Sequence, residues 1–161
     1  MEIQHYTLWS WLHIASALGA MLLGAGMLLA AKGTPSHRRF GYAYAGSMLL
    51  VNLSAFLIFR LFGGFGPFHV AAFISLITLF AELRPVLHRP RKVGWLMAHM
   101  NYMYWSVVGL YAAFASELMV RLPIKGGFML VVAIATVLVM VLAGVFQKRL
   151  MARWSRRAYP R

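Results

Sequence analysis

The chain has 161 residues, of which 61% are hydrophobic, and sixteen Lys and Arg residues stand against only three acidic ones, Glu2, Glu82 and Glu117. So few charges cannot cover the surface of a water-soluble domain of this length, and the composition indicates an integral membrane protein. Cysteine is absent, which excludes a disulfide framework and a thiolate metal site.

Five segments of the chain are long and apolar enough to cross a lipid bilayer, where a spanning helix needs about 20 residues. Their connections are rich in proline, glycine and basic residues, as turns at a membrane surface are. We therefore predict an all-α, polytopic integral membrane protein. It would form a single membrane domain over residues 1–161, in the inner or plasma membrane if the chain is bacterial. The five predicted spans are residues 8–31, 42–62, 68–83, 93–118 and 127–146.

The basic residues predict how these spans are oriented, because cytoplasmic loops retain Lys and Arg while translocated loops lack them. Three lie in the first loop, four in the third and six in the C-terminal tail, whereas only Arg60, Arg121 and Lys125 fall in the second and fourth loops. This alternation places the N-terminus outside and the C-terminus in the cytoplasm. The net charge of +13 then indicates contact with the lipid bilayer and its anionic headgroups, and nucleic acid is not expected as a partner.

Small and polar residues lie at helical spacing along three of the spans, and such stripes mark faces that contact other helices. Span five has no ionisable residue. We therefore predict a four-helix core formed by spans one to four, with a peripheral fifth helix. The same stripes would also suit a homo-oligomer. They comprise His13, Ala17, Ala20 and Gly24 in span one; Gly41, Ala45, Met48, Asn52 and Ala55 in span two; and His99, Tyr102, Ser106, Gly109, Ala113 and Ser116 in span four.

The six histidines fall into two layers when they are sorted by depth in the predicted membrane. An ionisable residue inside a membrane is a functional hypothesis by default, because its burial is costly. The alternative is a neutral imidazole that is hydrogen-bonded to a hydroxyl or carbonyl of a facing helix. The outer layer would hold His5, His13 and His69, and the inner layer His37, His88 and His99.

Several of these residues stand in short elements that together resemble a known family. The segment "LHIASALGAMLLGAGMLLAAKGTPSHRRFGYAYAGSML", the histidine after Pro67, and "HMNYMYWSVVGLYAA" are similar to the predicted-membrane-protein family called domain of unknown function 2306. The resemblance covers residues 8–118 and implies the topology and the choice of site residues rather than an activity. The matching positions are His13, then His37, Arg38, Gly41 and Tyr44, then His69, and finally His99 with Met103.

The first functional hypothesis is a transmembrane redox protein that binds haem b. Histidines from different helices, near each face of a bundle, could supply axial imidazoles for two haems. His13 with His69 would hold an outer haem and His37 with His99 an inner one, in an arrangement that resembles cytochrome b561 and the ferric reductases. A quinone or another redox partner would exchange the electrons. Arg38 and Arg39 would meet the propionates, and Tyr44 and Tyr102 would also contact the cofactor.

Two alternatives remain open. His5, His13 and His69 could offer three neutral nitrogens to zinc or copper on the outer face, as a catalytic metal site requires. The complete lack of aspartate counts against such a site, which usually recruits a carboxylate. The other alternative is a structural or assembly subunit without a cofactor, in which the histidines only form hydrogen bonds between helices. No residue pattern decides whether the chain is an enzyme.

Overall fold

The computed structural model of the chain describes residues 7–59, 63–87, 94–122 and 127–158, with side chains as far as Trp154. Every regular element in these ranges is a helix, which confirms the all-α prediction. The chain divides into two compact units, Met1–Arg84 and Pro85–Arg161. The helices are α1 (Leu8–Leu29), α2 (Pro35–Ala55), α3 (Pro67–Leu87), α4 (Trp95–Val120) and α5 (Phe128–Ala158).

Four of the five described helices are long and apolar enough to cross a membrane: Leu8–Leu29, Pro67–Leu87, Trp95–Val120 and Phe128–Trp154. The helix outside this set is α2, which has the length of a span, 21 residues, but a mixed composition. Its first turn carries basic residues, and it ends at Ala55, before the apolar residues 56–59. The prediction of apolar spans is thus confirmed for four helices, and the fifth crossing stays a prediction.

Helix α2 begins earlier than the predicted start of span two at residue 42. Thr34 is its N-cap residue, and the Thr34 hydroxyl accepts a hydrogen bond of 3.1 Å from the backbone N–H of His37. Pro35 follows at a position where a helix needs no N–H donor. A capping threonine followed by proline is a start signal. Consequently His37, Arg38 and Arg39 lie on the first turn of a helix rather than in a loop.

Two other helices run past their predicted ends. Helix α3 continues through Pro85 to Leu87, although proline has no N–H to donate to the carbonyl four residues earlier. Helix α5 continues from the apolar segment into the basic tail as far as Ala158, so that Lys148, Arg149 and Arg153 lie on a helix. The apolar segments of the sequence therefore predict which parts of α3 and α5 could cross lipid, but not where these two helices end.

A tight turn joins α1 to α2 and makes them an antiparallel pair. Gly33 has a φ of 81°, a backbone conformation that glycine adopts without strain. The Lys32 ammonium donates hydrogen bonds of 2.9 Å to the Met27 carbonyl and 2.8 Å to the Leu28 carbonyl. These carbonyls have no partner within the helix, and a cation at this end also complements the helix dipole.

The packing of α1 on α2 buries much of the predicted stripes. Ala20 and Gly24 of α1 are buried, and so are Met48 and Asn52 of α2, as their helical spacing predicts. The face of α2 that contacts α1 is rotated by one residue from the predicted stripe, since Tyr44 rather than its neighbour Ala45 is completely buried. The close approach of two helices here rests on small residues of α1 that leave room for larger ones of α2.

The second unit pairs α4 with α5 through hydrogen bonds between side chains and backbone. The Tyr104 hydroxyl donates to the Ala143 carbonyl at 2.6 Å, and the hydroxyls of Ser116 and Thr136 are 3.0 Å apart. The sequence predicts the fifth helix as peripheral, whereas the structure makes it the partner of the fourth. The reason lies in hydroxyls of α4 that find acceptors on an otherwise apolar helix. A core shared by spans one to four stays a prediction.

The stripe predicted for α4 is wrong in part for the same reason. Ser106 and Ser116 are buried as expected, but Tyr102, Gly109 and Ala113 are exposed. The buried residues of α4 include Tyr104, Val108 and Ala112, which alternate with the predicted positions around the helix. The buried face of α4 therefore carries larger apolar residues, such as Tyr104 and Val108, beside small ones, such as Ala112 and Ser116.

Candidate functional site

The histidines predicted to act together are distributed over both units. His13, His37 and His69 belong to the first unit, Met1–Arg84, whereas His99 belongs to the second. His5 lies outside the described residues. The three histidines of the first unit can therefore be compared with one another, whereas His99 is compared only with residues of its own unit.

His13 connects α1 to the last turns of α2. Its Nδ1 atom lies 3.1 Å from the Val51 carbonyl oxygen and 3.0 Å from the Ser54 hydroxyl oxygen. Ser54 itself donates within its helix, since its hydroxyl lies 2.6 Å from the Leu50 carbonyl. The imidazole is half-buried, and Ser54 is almost completely buried. His13 is thus a bridge between two helices, held by one backbone and one side-chain oxygen.

These partners fix which ring nitrogen of His13 carries the proton. A carbonyl oxygen can only accept, so Nδ1 of His13 is the donor to Val51, and in a neutral imidazole the lone pair then resides on Nε2. Histidines that ligate a metal through Nε2 show the same arrangement, with Nδ1–H directed at a carbonyl or carboxylate. In this tautomer Nε2 is therefore the acceptor atom of the His13 ring.

His69 forms a cap at the start of α3. Pro67 opens this helix, and the backbone N–H of Gly66, the residue before it, donates to Nδ1 of His69 at 3.1 Å. Glutamate and glutamine close helix starts in the same way, by reaching back from the third helical position. The side chain is 4% exposed. His69 therefore stabilises the beginning of its own helix.

The proton of the His69 ring is on the other nitrogen. A backbone N–H can only donate, so Nδ1 of His69 accepts, and the neutral ring carries its hydrogen on Nε2. This Nε2 is buried, and it has no hydrogen-bond partner in the described part of the chain. Leaving a buried donor unsatisfied costs about 1–3 kcal/mol. The arrangement makes His69 a donor through Nε2, not a metal ligand through that atom.

Phenyl rings surround the His69 imidazole. The rings of Phe59 and Phe65 stack on it with centroid distances of 4.9 and 5.0 Å and interplanar angles of 23° and 29°. The ring of Phe56 lies 6.4 Å away and is tilted by 42°. Phe59 and Phe65 are themselves 47% and 69% exposed. His69 and these three phenylalanines are called the aromatic box below.

The end of α2 brings His13 and His69 to one region of the first unit. Ser54 contacts His13, and Phe56, two residues later, contacts His69. Both histidines were predicted for one outer layer, and the structure sets them against consecutive parts of the same segment. Their opposite tautomers nevertheless argue against an outer haem with both imidazoles as Nε2 ligands, because only His13 has its lone pair there.

The residues predicted to hold an inner haem differ from one another in burial. His37 is half-buried on the first turn of α2, and Arg38 and Arg39 beside it are exposed. Tyr44 is completely buried. His99 is half-buried in α4, whereas Tyr102 is 42% exposed. A tyrosine buried between helices and another open at the surface do not share one type of site, so the roles of Tyr44 and Tyr102 as cofactor contacts stay predictions.

The predicted outer metal site can be tested only for His13 and His69. Within residues 7–59, 63–87, 94–122 and 127–158, no group of three or more His, Cys, Asp or Glu side chains could hold a metal ion. His5, the third predicted ligand, lies outside these ranges. The tautomer of His69 also counts against zinc or copper at Nε2, since that atom carries hydrogen.

Sequence reasoning missed the partners of both histidines. The aromatic box and Ser54 come from a segment that was interpreted only as apolar span and loop. One signal was present: three phenylalanines, Phe56, Phe59 and Phe65, lie close to a histidine that opens the next helix. The complete burial of Glu82 in α3 was also missed.

Comparisons with known proteins agree with the predicted family. A family model described as predicted membrane protein (DUF2306) matches residues 10–154. No match was found among curated proteins, and none among solved structures.

Proposed function

We propose, on the premise that the chain belongs to the family of predicted membrane proteins called domain of unknown function 2306, that it is a membrane redox protein in which His13 would hold haem b. Family membership and four apolar helices make the chain a multi-pass membrane protein. The redox role is the proposal. Its support is the orientation of His13, whose Nδ1–H is directed at the Val51 carbonyl.

The residues around His13 suit an axial ligand for three reasons. The Val51 carbonyl and the Ser54 hydroxyl hold the imidazole in one orientation and one tautomer. A hydrogen bond to Nδ1–H raises the basicity of Nε2, the atom that would bind iron. The half-buried position in an apolar helix would keep most water away. Bound haem b would supply one-electron chemistry, while His13 and its two partners would hold it in place.

Of the four histidines predicted to hold haem, only His13 belongs to this proposal. His69 is not included, because it would have to give up the cap on α3 to present a lone pair at Nε2. The inner pair, His37 and His99, stays a prediction, as does the contact of Arg38 and Arg39 with propionates. The outer metal site is retained only as an outcome of the experiment below.

A structural role without a cofactor is the second candidate, and a specific observation favours it. Both well-defined histidines have a ring nitrogen in a hydrogen bond that stabilises helices: His13 joins α1 to α2, and His69 caps α3. Hydrogen bonds of this kind between membrane helices contribute roughly 0.6 kcal/mol on average. His13 and His69 would then contribute to packing alone.

Absorption spectroscopy of the purified protein tests the proposal. The protein is produced with ample haem, purified in detergent, and measured before and after reduction with dithionite, with metal analysis of the same sample. We expect a Soret band in the wild-type protein and in the His69→Asn variant, which keeps an acceptor for Gly66. We expect its loss in His13→Ala.

The matched variants separate the two candidates. A Soret band that persists in His13→Ala contradicts the assignment of the ligand. A featureless wild-type spectrum contradicts the haem proposal itself. In that case stoichiometric zinc or copper would favour the metal site, whereas a sample free of metal would favour the structural role.

A further inference from the structure

We propose that the aromatic box at the start of α3 binds the head ring of a quinone, with Nε2–H of His69 as the donor to a ring carbonyl. The inference goes beyond the proposed function and does not require haem at His13. It rests on the hydrogen bonding of His69, on the three phenyl rings around it and on the segment that covers it.

The His69 donor has a fixed identity and lacks an acceptor. The Gly66 N–H occupies Nδ1, so the ring hydrogen is on Nε2, and that buried atom has no hydrogen-bond partner among the described residues. Native proteins leave few buried donors unsatisfied, so such a donor calls for an explanation, and a bound group that supplies the acceptor is one. A ligand with an acceptor atom is therefore expected at Nε2.

The surroundings of the donor indicate a neutral, flat ligand. A carboxylate or phosphate needs several donors or a cation, whereas His69 provides one N–H among phenyl rings. Phe59 and Phe65 stack on the imidazole at 4.9 and 5.0 Å, the separation at which another planar ring would also pack. A carbonyl on a six-membered ring satisfies both requirements, and an isoprenoid tail would extend into lipid.

The segment that carries Phe65 allows such a ring to enter. Phe65 lies between Gly64 and Gly66, and Gly63 has a φ of 65°. Glycine backbones adopt many conformations at little cost, so the Phe65 ring can move aside while α3 stays in place. Its 69% exposure shows that little packing opposes this movement.

Two substitutions at His69 separate the cap from the donor. Asparagine places an oxygen where Nδ1 lies, which keeps the acceptor for Gly66 and removes the distal donor. Glutamine places its amide group where Nε2 lies, which keeps a distal donor. Both variants are first compared with the wild-type protein by circular dichroism and thermal unfolding, so that a change in binding is interpreted only for folded protein.

The test is a titration of the detergent-purified full chain with decylubiquinone, followed by calorimetry. Decylbenzene, which has the tail and no carbonyl, is the control ligand. We expect binding to be about tenfold weaker in His69→Asn and within about threefold of wild type in His69→Gln, since one hydrogen bond is lost or kept. In ¹⁵N-histidine protein, the Nε2–H signal of His69 should shift with decylubiquinone.

Each other result overturns the inference. Equal binding of decylbenzene, or unchanged binding in folded His69→Asn, would mean that the carbonyl is not recognised. A shift of the Nε2–H signal with phospholipid but not with decylubiquinone would identify a lipid ester carbonyl instead. Absence of binding would also reject it. The Soret band and the affinity for decylubiquinone are measured separately in wild-type protein and in His69→Asn, so failure of the haem proposal and failure of this one are distinguishable.

Discussion

At the scale of single residues, two histidines in one unit hold their ring protons on opposite nitrogens. The carbonyl of Val51 requires a proton on Nδ1 of His13, and the amide of Gly66 requires a lone pair on Nδ1 of His69. The two Nε2 atoms therefore differ in what they can do. Nε2 of His13 can accept a proton or bind a metal, whereas Nε2 of His69 can donate a hydrogen bond.

The cap formed by His69 leads to a prediction about stability. His69→Leu should be about 1 kcal/mol less stable than His69→Asn, the usual cost of losing a helix cap, because both variants lose the Nε2 donor and only leucine also leaves the Gly66 N–H without its acceptor. His69→Asn should retain most of the wild-type stability. Unfolding by SDS, monitored by the far-ultraviolet circular dichroism signal, would measure the difference. Equal losses in the two variants would mean that the imidazole stabilises through ring packing rather than through the cap.

The location of these two histidines was predictable from the sequence, but their roles were not. Apolar windows and helical spacing placed His13 in a span and His69 at a helix start. The partners that determine their tautomers are backbone atoms of Val51 and Gly66. Every residue has such atoms, so no sequence pattern distinguishes them, and only the folded chain selects which of them a side chain meets.

At the scale of helices, polar contacts distributed along α4 and α5 join the two. They connect Asn101 with Gln147, Tyr104 with the Ala143 carbonyl, and Ser116 with Thr136. These contacts lie at both ends and in between, so they fix the register of the pair. A shift of one turn would leave several hydroxyls and amides without partners in lipid.

Removal of one of these bonds should have a measurable cost. Tyr104→Phe keeps the ring that contacts Trp105 and Trp154 and removes the hydroxyl that donates to Ala143. We expect a loss of roughly 0.6–1.7 kcal/mol in SDS unfolding, since hydrogen bonds between membrane helices contribute about 0.6 kcal/mol on average and about 1.7 kcal/mol at most. A change within error would show that the hydroxyl finds an equivalent partner in the unfolded state.

The exposed ion pair of α4 supplies a control for that measurement. The Arg121 guanidinium donates to the Glu117 carboxylate one turn away, with side chains 55% and 48% exposed. Exposed pairs of this spacing contribute about 0.3–0.5 kcal/mol. Glu117→Gln should therefore change stability less than Tyr104→Phe does. The two partners are four residues apart on one helix, so this ion pair needs no tertiary contact.

The paired helices show where helix-face prediction failed. Small residues were expected to mark the buried face of α4, yet Gly109 and Ala113 are exposed, and Tyr104 and Val108 are buried. In a span of nearly uniform hydropathy, the choice of face depends on the partner helix. Helix α5 is predicted as peripheral because it has no ionisable residue, but its Thr136 and Gln147 are polar partners of α4.

At the scale of the whole molecule, the number of membrane crossings depends on α2. Its 21 residues at about 1.5 Å each give roughly 32 Å, enough to cross the hydrocarbon core. The basic residues agree with five crossings, since they alternate between the loops only if α2 spans. Composition alone does not place α2 among the spans, and an experiment on its two ends is needed.

Single cysteines at the two ends of α2 would decide the crossing, and the chain has no cysteine of its own to interfere. Ser36→Cys and Gly64→Cys flank the helix. If α2 spans, an impermeant maleimide added to intact cells should label the second variant, and the first only after permeabilisation. Labelling of both positions from one side would contradict five crossings. Thr7→Cys and Arg149→Cys provide the outer and inner references.

Helix α5 has a length that matters for the membrane in which the protein resides. Its 31 residues, at about 1.5 Å each, extend roughly 46 Å, whereas a typical hydrocarbon core is about 30 Å thick. The helix is continuous where apolar Phe146 gives way to Gln147 and Lys148, and Gln147 is bonded to Asn101 of α4 at that boundary. In a thinner bilayer α5 therefore cannot tilt alone without breaking this bond. Hydrophobic mismatch would act on both helices together, and bilayer thickness would set their common inclination.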